Sequence, residues 1–256
     1  MSTDLLPEKS PRIPLVSVIM PVYNASEFLH ESIESVLRQT CHDLELIVIN
    51  DASTDGSDSI IQELASFDSR IKYVCLSKNS GVSMARNTGI SLASGSYIAF
   101  IDADDFWYPN KLSCQLALMA EEGSACSHTY YFRVSNDGLR TLVESPSRVT
   151  YIDMLSSNYI GNSTAIYKSA TLGRFFQEPI GHEDYKMWLQ VLRKTDSICV
   201  QEPLVDYRVV SGSLSSNILK GLKWHWDIII KEDGVNFISA VPFMIKYIYS
   251  AIRKRI

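Results

Sequence analysis

Tyr97-Ile98-Ala99-Phe100-Ile101-Asp102-Ala103-Asp104-Asp105 is an apolar run that breaks off in three acids within four residues. A short apolar run of this kind reads as a buried strand. The same form recurs upstream. Residues 16–20 are apolar apart from Ser17 and close on Pro21, and residues 44–49 close on Asn50-Asp51. Between these strands lie helical periods. Ser26 reads as the cap of a helix with an apolar stripe of Leu29, Ile33, Val36 and Leu37. Ile60, Ile61, Leu64 and Phe67 mark a second helix face, and residues 71–76 a third strand. Residues 82–93 read as a helix stopped near Gly95, and Pro109 as the opening of a helix with Leu112, Leu116 and Met119 on one side. Strands alternating with helices predict an α/β fold with a mostly parallel central sheet and flanking helices. Ligands bind such sheets at the carboxyl ends of the strands, where the acids stand.

The second half reads differently. Residues 127–134 and 139–143 flank Asn136-Asp137-Gly138, a hairpin signal. Residues 163–167 are a further strand candidate. Residues 183–194 form a helical pattern with Tyr185, Trp188, Leu189 and Leu192 on one face. Near the end, Phe237, Ile238, Phe243, Met244, Ile245, Tyr247, Ile248, Tyr249 and Ile252 accompany Lys246, Arg253, Lys254 and Arg255. An apolar stretch with a basic end reads as an amphipathic tail resting on a membrane surface. The alternative is a helix packed on the domain.

Composition narrows the classes. The 256 residues are 46% hydrophobic and 21% charged, so a single α/β core is within reach. A net charge of -5 offers no phosphate-tracking surface, and no nucleic-acid partner is expected. The five cysteines form no C-x-x-C pair, and an odd count suits free thiols. The histidines show no metal-ligand spacing. Residues 1–14 are polar with three prolines and no apolar core, which reads as a loose leader.

Four constellations carry chemistry. Like charges at 102–105 repel unless something positive sits among them, and carboxylates of this kind suit Mg²⁺ or Mn²⁺. A plainer role, capping the helix ahead of Pro109, accounts for Asp105 alone. Asp51 can accept from a base N–H or a ribose hydroxyl, although turn and cap chemistry favours the same residue types in 50–57, and Asp55 reads as structural. Arg86, in the loop-to-helix segment 79–89, suits a phosphate or equally a buried ion pair. Glu183 and Asp184, after Gly181-His182, are explained by the helix dipole or supply a general base. There is no G-x-G-x-x-G and no P-loop.

Taken together, Val16-Ser17-Val18-Ile19-Met20-Pro21-Val22-Tyr23-Asn24, Asn50-Asp51-Ala52-Ser53-Thr54-Asp55, Ala85-Arg86-Asn87-Thr88-Gly89, Asp102-Ala103-Asp104 and His182-Glu183-Asp184-Tyr185 resemble a bacterial family 2 glycosyltransferase over roughly 15–215. The resemblance implies a GT-A fold, with a nucleotide-sugar half at 15–122, an acceptor half at 123–222 of the same domain, and the tail at 223–256. It implies that Pro21, Tyr23 and Asp51 contact uridine and that Asp102 binds ribose and touches the metal. Asp104 would coordinate Mn²⁺ or Mg²⁺ at the diphosphate, and Asp184 would act as base. The implied reaction is inverting hexosyl transfer from a UDP-sugar, glucose first and galactose or GlcNAc next. The implied acceptor is a lipid-diphosphate-linked saccharide of O-antigen or capsule assembly, at the cytoplasmic face of the inner membrane. One departure stands out. The family often places a histidine just after a Tyr-Arg pair, whereas Tyr207-Arg208 precedes Val209-Val210 here. Arg208, Ser213 or Ser215 is the expected substitute. Two other classes compete: an aspartyl phosphatase, disfavoured by Phe106 where a hydroxyl is needed, and a non-catalytic module that kept the fold.

Overall fold

The computed structural model describes residues 13–209, 218–232 and 234–253. The leader through residue 12, Val210, Ser213, Ser215 and residues 254–256 lie outside the described residues.

The first half runs β1 (Val16–Val22), α1 (Ser26–Leu37), β2 (Leu44–Asn50), α2 (Ser57–Phe67), β3 (Ile71–Cys75), α3 (Val82–Leu92) and β4 (Tyr97–Phe100). The four strands are parallel in the order β3-β2-β1-β4, with Val18 opposite Leu46 and Ile19 opposite Phe100. β1 and β2 are buried along their whole length, because helices cover both faces. Side chains alternate between the faces. Val16, Val18, Met20 and Val22 join Leu29, Ile33 and Val36 of α1, while Ile19 turns to Ala85 and Ile90 of α3.

The second half adds β5 (Phe106–Trp107), α4 (Lys111–Glu122), β6 (Cys126–Val134), β7 (Arg140–Val143), β8 (Arg148–Val149) and α5 (Tyr151–Ser156). A 3-10 turn (Asn162–Thr164), β9 (Ile166–Tyr167), α6 (Ser169–Leu172), α7 (Glu183–Leu192), β10 (Ser197–Arg208), α8 (Ile218–Ile229) and α9 (Phe237–Arg253) follow. The sheet continues from β4 through β9, β6 and β10 to β5, with β7 on β6 and β8 on β10. β9 runs antiparallel to both β4 and β6, so strand direction reverses beside the end of β4. The sheet is thus mixed, parallel through the first half. Trp188 of α7 anchors the second core by meeting Phe100 and Tyr167 edge-on, each at 6.0 Å between ring centres.

Several expectations are corrected. Ser26 does not cap α1: the cap position is Ala25, and the Ser26 N–H donates to Asp55 at 3.0 Å. Phe67, the last residue of α2, is 82% exposed, and Ile61 is the apolar residue of that helix that is buried. α3 ends at Leu92, before Gly95, which is needed for another reason: a Cβ there would come within 2.7 Å of the Ser17 nitrogen. Asp105 does not cap the helix after Pro109. β5 intervenes to pair with β10, and Asn110 takes the cap position of α4. The strand expected at 163–167 shortens to Ile166–Tyr167, because 162–164 turn as a 3-10 helix.

The tail combines features of both readings. Ala240 of α9 is buried and Tyr247 stacks on His225 of α8 at 3.6 Å, while Phe237, Ile238, Val241, Ile245 and Ile248 face outward. No helix among the described residues is long and apolar enough to cross a membrane.

Asp55 locks the first two crossovers together. Its carboxylate accepts from the Ser26 N–H of α1 and the Ser57 N–H of α2, each at 3.0 Å. Ser57 Oγ in turn accepts from the Ala25 N–H at 3.0 Å. Burial, the largest single cause, raises the Asp55 pKa, but the hydrogen bonds from Ser57 and Ser26 together prevail and bring it to about 2. A depressed folded pKa contributes stability that is present above about pH 4, the unfolded value, and is lost as pH falls toward 2. Asp55→Ala is therefore expected to lower unfolding free energy at pH 7 by about 1 kcal/mol, the ordinary loss for a helix cap. In urea melts the gap to wild type should narrow as pH falls from about 4 toward 2; a gap that does not change over that range would contradict the capping role.

Candidate active site

The loop after β4 sends its three acids to different surroundings. Asp105 is fully buried and fixed from both sides. Ser163 Oγ donates to one oxygen, and the Arg208 N–H donates to the other at 3.1 Å. Burial, then the charges of Asp102 and Asp104, push its pKa well above the ordinary carboxylate range. The Asp102 N–H donates to Ser163 Oγ at 3.1 Å, and its carboxylate accepts from Arg86 Nη2 at 2.5 Å. Asp104 meets no positive side chain directly among the described residues. Burial and then the Asp102 charge push its pKa up to about 6, against the weaker pull of Arg208 and Arg86.

That division bears on metal binding. Among the described residues no three acids, histidines or cysteines form a ready-made cage. A hard cation such as Mg²⁺ needs none: one or two carboxylates, substrate phosphates and waters complete its shell. Asp104, short of positive charge beside the ion-paired Asp102, fits that donor set.

Arg208 closes the loop from β10. Its Nη1 donates to the Asp104 carbonyl at 3.0 Å, its Nη2 to Glu31 at 2.5 Å, and its guanidinium lies 4.8 Å from the Phe28 ring centre. Of the expected substitutes for the family histidine, Arg208 thus reaches the acid loop; Ser213 and Ser215 are outside the described residues.

Asp51, at the end of β2, is 3% exposed. It accepts from the Ser80 N–H at 2.7 Å and the Gly81 N–H at 2.8 Å, fixing the turn into α3. Gly81 has φ +90°, a conformation that a side chain would strain. Pro21 is the next-to-last residue of β1, paired within the sheet with Ile49, and Tyr23, just beyond the strand, is 50% exposed. Asn24 and Ala52 both hold left-handed backbone here. The Thr54 N–H donates to Asn24 Oδ1 at 2.8 Å, and the Asn24 N–H donates to Ser53 Oγ at 3.1 Å. The strand-end loops of β1 and β2 therefore set each other's shape.

Arg86 is the hub between halves. The residue is 6% exposed, and its Nη1 donates to Gln177 Oε1 at 3.1 Å. Burial alone would lower its pKa; the charges of Asp102 and Asp184, the Asp102 hydrogen bond and the charge of Glu183 outweigh it. Asp184 and Glu183 occupy the first turn of α7, after Gly181 at φ +96°. Trp224 of α8 lies so close that a Cβ on Gly181 would fall 2.3 Å from the indole. Of the two readings of Arg86, the structure shows the ion pair, with Asp102.

Sequence reasoning missed Gln177, Asn87 and Ser163. Gln177 lies in Arg174-Phe175-Phe176-Gln177-Glu178, with no periodicity or motif to single it out. Ser163 was read only as part of a strand. The five cysteines are free, as expected, and burial pushes Cys126 and Cys199 up to about 12, which leaves those two inert as nucleophiles.

Comparison with known proteins identifies the family and the fold. The glycosyl transferase family 2 pattern matches residues 17–178. The putative teichuronic acid biosynthesis glycosyltransferase TuaG of Bacillus subtilis is 36% identical over 247 residues, 95% of this chain and 98% of that protein. The UDP-Glc:α-D-GlcNAc-diphosphoundecaprenol β-1,3-glucosyltransferase WfgD of Escherichia coli is 34% identical over 243 residues, 94% of each. Among solved structures, S. aureus TarS 1-349 in complex with UDP-GlcNAc superposes with a TM-score of 0.71 at 20% identity, over 91% of this chain and 71% of that one. The Pyrobaculum calidifontis mannosyltransferase PcManGT with GDP-Man and Mn²⁺ superposes at 0.68 and 19% identity, over 95% of this chain and 72% of that one. The strand-end acids, the buried arginine and the acid pair on α7 thus stand on a GT-A-like fold, and the chain belongs to glycosyl transferase family 2.

Proposed function

We propose that the chain transfers a hexose, glucose first, from a UDP-sugar to a lipid-diphosphate-linked saccharide, with inversion to a β linkage, in O-antigen or capsule assembly. The observation that carries the reading is the separation of roles around Arg86: ion-paired Asp102 on one side, Glu183 and Asp184 on the other, and Asp104 with no direct counter-ion among the described residues. The donor and acceptor follow from the likeness to WfgD, over nearly the full length of both chains. UDP-galactose and UDP-GlcNAc are the alternative donors.

In this reading Pro21, Tyr23 and Asp51 line the uridine end, and Asp102 reaches the ribose. Asp184 takes the proton from the acceptor hydroxyl while that oxygen attacks the anomeric carbon, and the bond from that carbon to the diphosphate oxygen breaks. Glu183 is the neighbouring candidate for the same proton. Asp104, with Asp102, would hold Mn²⁺ or Mg²⁺, which supplies Lewis-acid stabilisation to the departing diphosphate. Arg208 fixes the Asp104 carbonyl through its Nη1.

The outward face of α9 supports attachment to the cytoplasmic face of the inner membrane, beside the lipid-linked acceptor. Residues 237–253 contain no Asp or Glu, and exposed Lys246 stands next to exposed Ile245. Buried apolar area and basic residues, the latter each contributing about 1 kcal/mol at an anionic surface, add up to reversible binding.

Three outcomes are expected. Chelation by EDTA abolishes transfer and Mn²⁺ restores it, while Asp104→Asn leaves a folded chain whose UDP binding, measured by calorimetry, no longer responds to Mn²⁺; full transfer in excess EDTA would contradict this. Asp184→Asn lowers kcat by about 10²–10⁴-fold with donor affinity nearly unchanged, and near-normal turnover would move the role to Glu183. The pair Ile238→Glu and Ile245→Glu, which spares the packed face of α9, abolishes sedimentation with anionic vesicles but not transfer to a short soluble acceptor. Unaltered sedimentation would rule out this face as the attachment.

A further inference from the structure

Gln177 uses each of its polar groups to join the two sides of the site. Its N–H donates to Asn87 Oδ1 at 2.7 Å, and its carbonyl accepts from Asn87 Nδ2 at 2.8 Å. Its Oε1 accepts from Arg86 Nη1 at 3.1 Å, and its Nε2 donates to Met187 Sδ of α7 at 3.7 Å. The residue is 3% exposed. Adjacent residues of α3, Arg86 and Asn87, therefore grip one glutamine, and that glutamine touches the helix whose first turn carries Glu183 and Asp184.

We infer that Gln177 is a positioning residue: it holds the Arg86 guanidinium on Asp102 and fixes the loop that leads to Asp184. The inference rests on the proposed reaction, in which Asp102 serves the donor and Asp184 the acceptor.

Chemistry explains why the residue is an amide. A buried guanidinium needs its N–H groups accepted, since an unpaired one carries the full desolvation loss. A carboxylate at 177 would accept as well, but its charge would compete with Asp102 for Arg86. A neutral acceptor fixes one arm of the fork and leaves the ionic attraction for Asp102. The clamp on the Gln177 backbone matters equally. Asn87 satisfies both main-chain groups, as a neighbouring strand would, so the chain just before α7 is referenced to α3 rather than to solvent.

The test compares wild type with Gln177→Met and Gln177→Glu. Methionine keeps the length and the apolar packing and removes only the amide. Calorimetric titration with UDP and Mn²⁺ reads the donor side, and steady-state kinetics separate the KM for the UDP-sugar from the KM for the acceptor. Circular dichroism and melting report the fold. Gln177→Met is expected to weaken UDP binding on the order of 10- to 100-fold, the scale of a small misplacement of a binding group, with kcat reduced and acceptor KM kept. Gln177→Glu, which preserves a hydrogen bond to Arg86, is expected to weaken UDP binding as well, because it draws Arg86 from Asp102. Should Gln177→Met fail to fold, Gln177→Glu decides alone. Wild-type UDP affinity in either folded variant overturns the positioning role while leaving the proposed reaction standing. A wild-type chain that binds no UDP-sugar overturns both.

Discussion

A guanidinium sealed inside the protein must be answered by charge, and the site is organised around that requirement at Arg86. The Arg86 side chain is 8% exposed and that of Asp102 27%, so breaking their pair costs some fraction of the roughly 3–5 kcal/mol lost from a fully buried one. Asp102 is consequently held on Arg86 through Oδ1. Asp105 is not free either, being tied to Ser163 and to the backbone of Arg208. Of the three acids, Asp104 is the one that neither an ion pair nor a hydroxyl holds among the described residues, so on the proposed reaction it is the principal ligand of an incoming cation, with Asp102 beside it. The division of labour at this loop follows from what each acid is already bonded to, rather than from sequence order.

The same requirement ties the halves of the fold together. Arg86 comes from a helix packed on the parallel half, while Gln177 comes from the segment that leads into α7 and Glu183 and Asp184 from the first turn of α7. α7 is in turn fixed by Trp188 against Phe100 and Tyr167, the strands on either side of the reversal in sheet direction. Strand-end loops are held as firmly: Asp51 fixes the entry to α3, and Asp55 fixes the entries to α1 and α2. These aspartates at the ends of β-strands are first of all devices that shape loops. On the proposed reaction, the shape they impose is the donor cleft.

The parallel half was legible because its signals are local. Apolar strands of five to seven residues closing on polar turns, and stripes such as Leu29, Ile33 and Val36, depend on spacing alone. The errors came where distant parts of the chain compete. Ser26 has the right chemistry for a cap, yet Asp55, 29 residues away, takes the role. Asp105 likewise reads as a cap until β10 brings Arg208 and the 3-10 turn brings Ser163. Gln177 was invisible because its partners are 90 and 91 residues away in sequence. The acids and the arginine could be picked out as candidates by residue type; which acid is paired and which is free is a property of the tertiary structure.

The central claim is that Arg86 and Asp102 stay paired while Asp104 receives the metal. Anomalous diffraction from a crystal grown with UDP and Mn²⁺ tests it directly. The account predicts a manganese peak against the Asp104 carboxylate, bridging to the diphosphate, with Arg86 still on Asp102 and Gln177. A peak against Asp105 with Asp104 unliganded, or Arg86 turned from Asp102 onto the diphosphate, would contradict it.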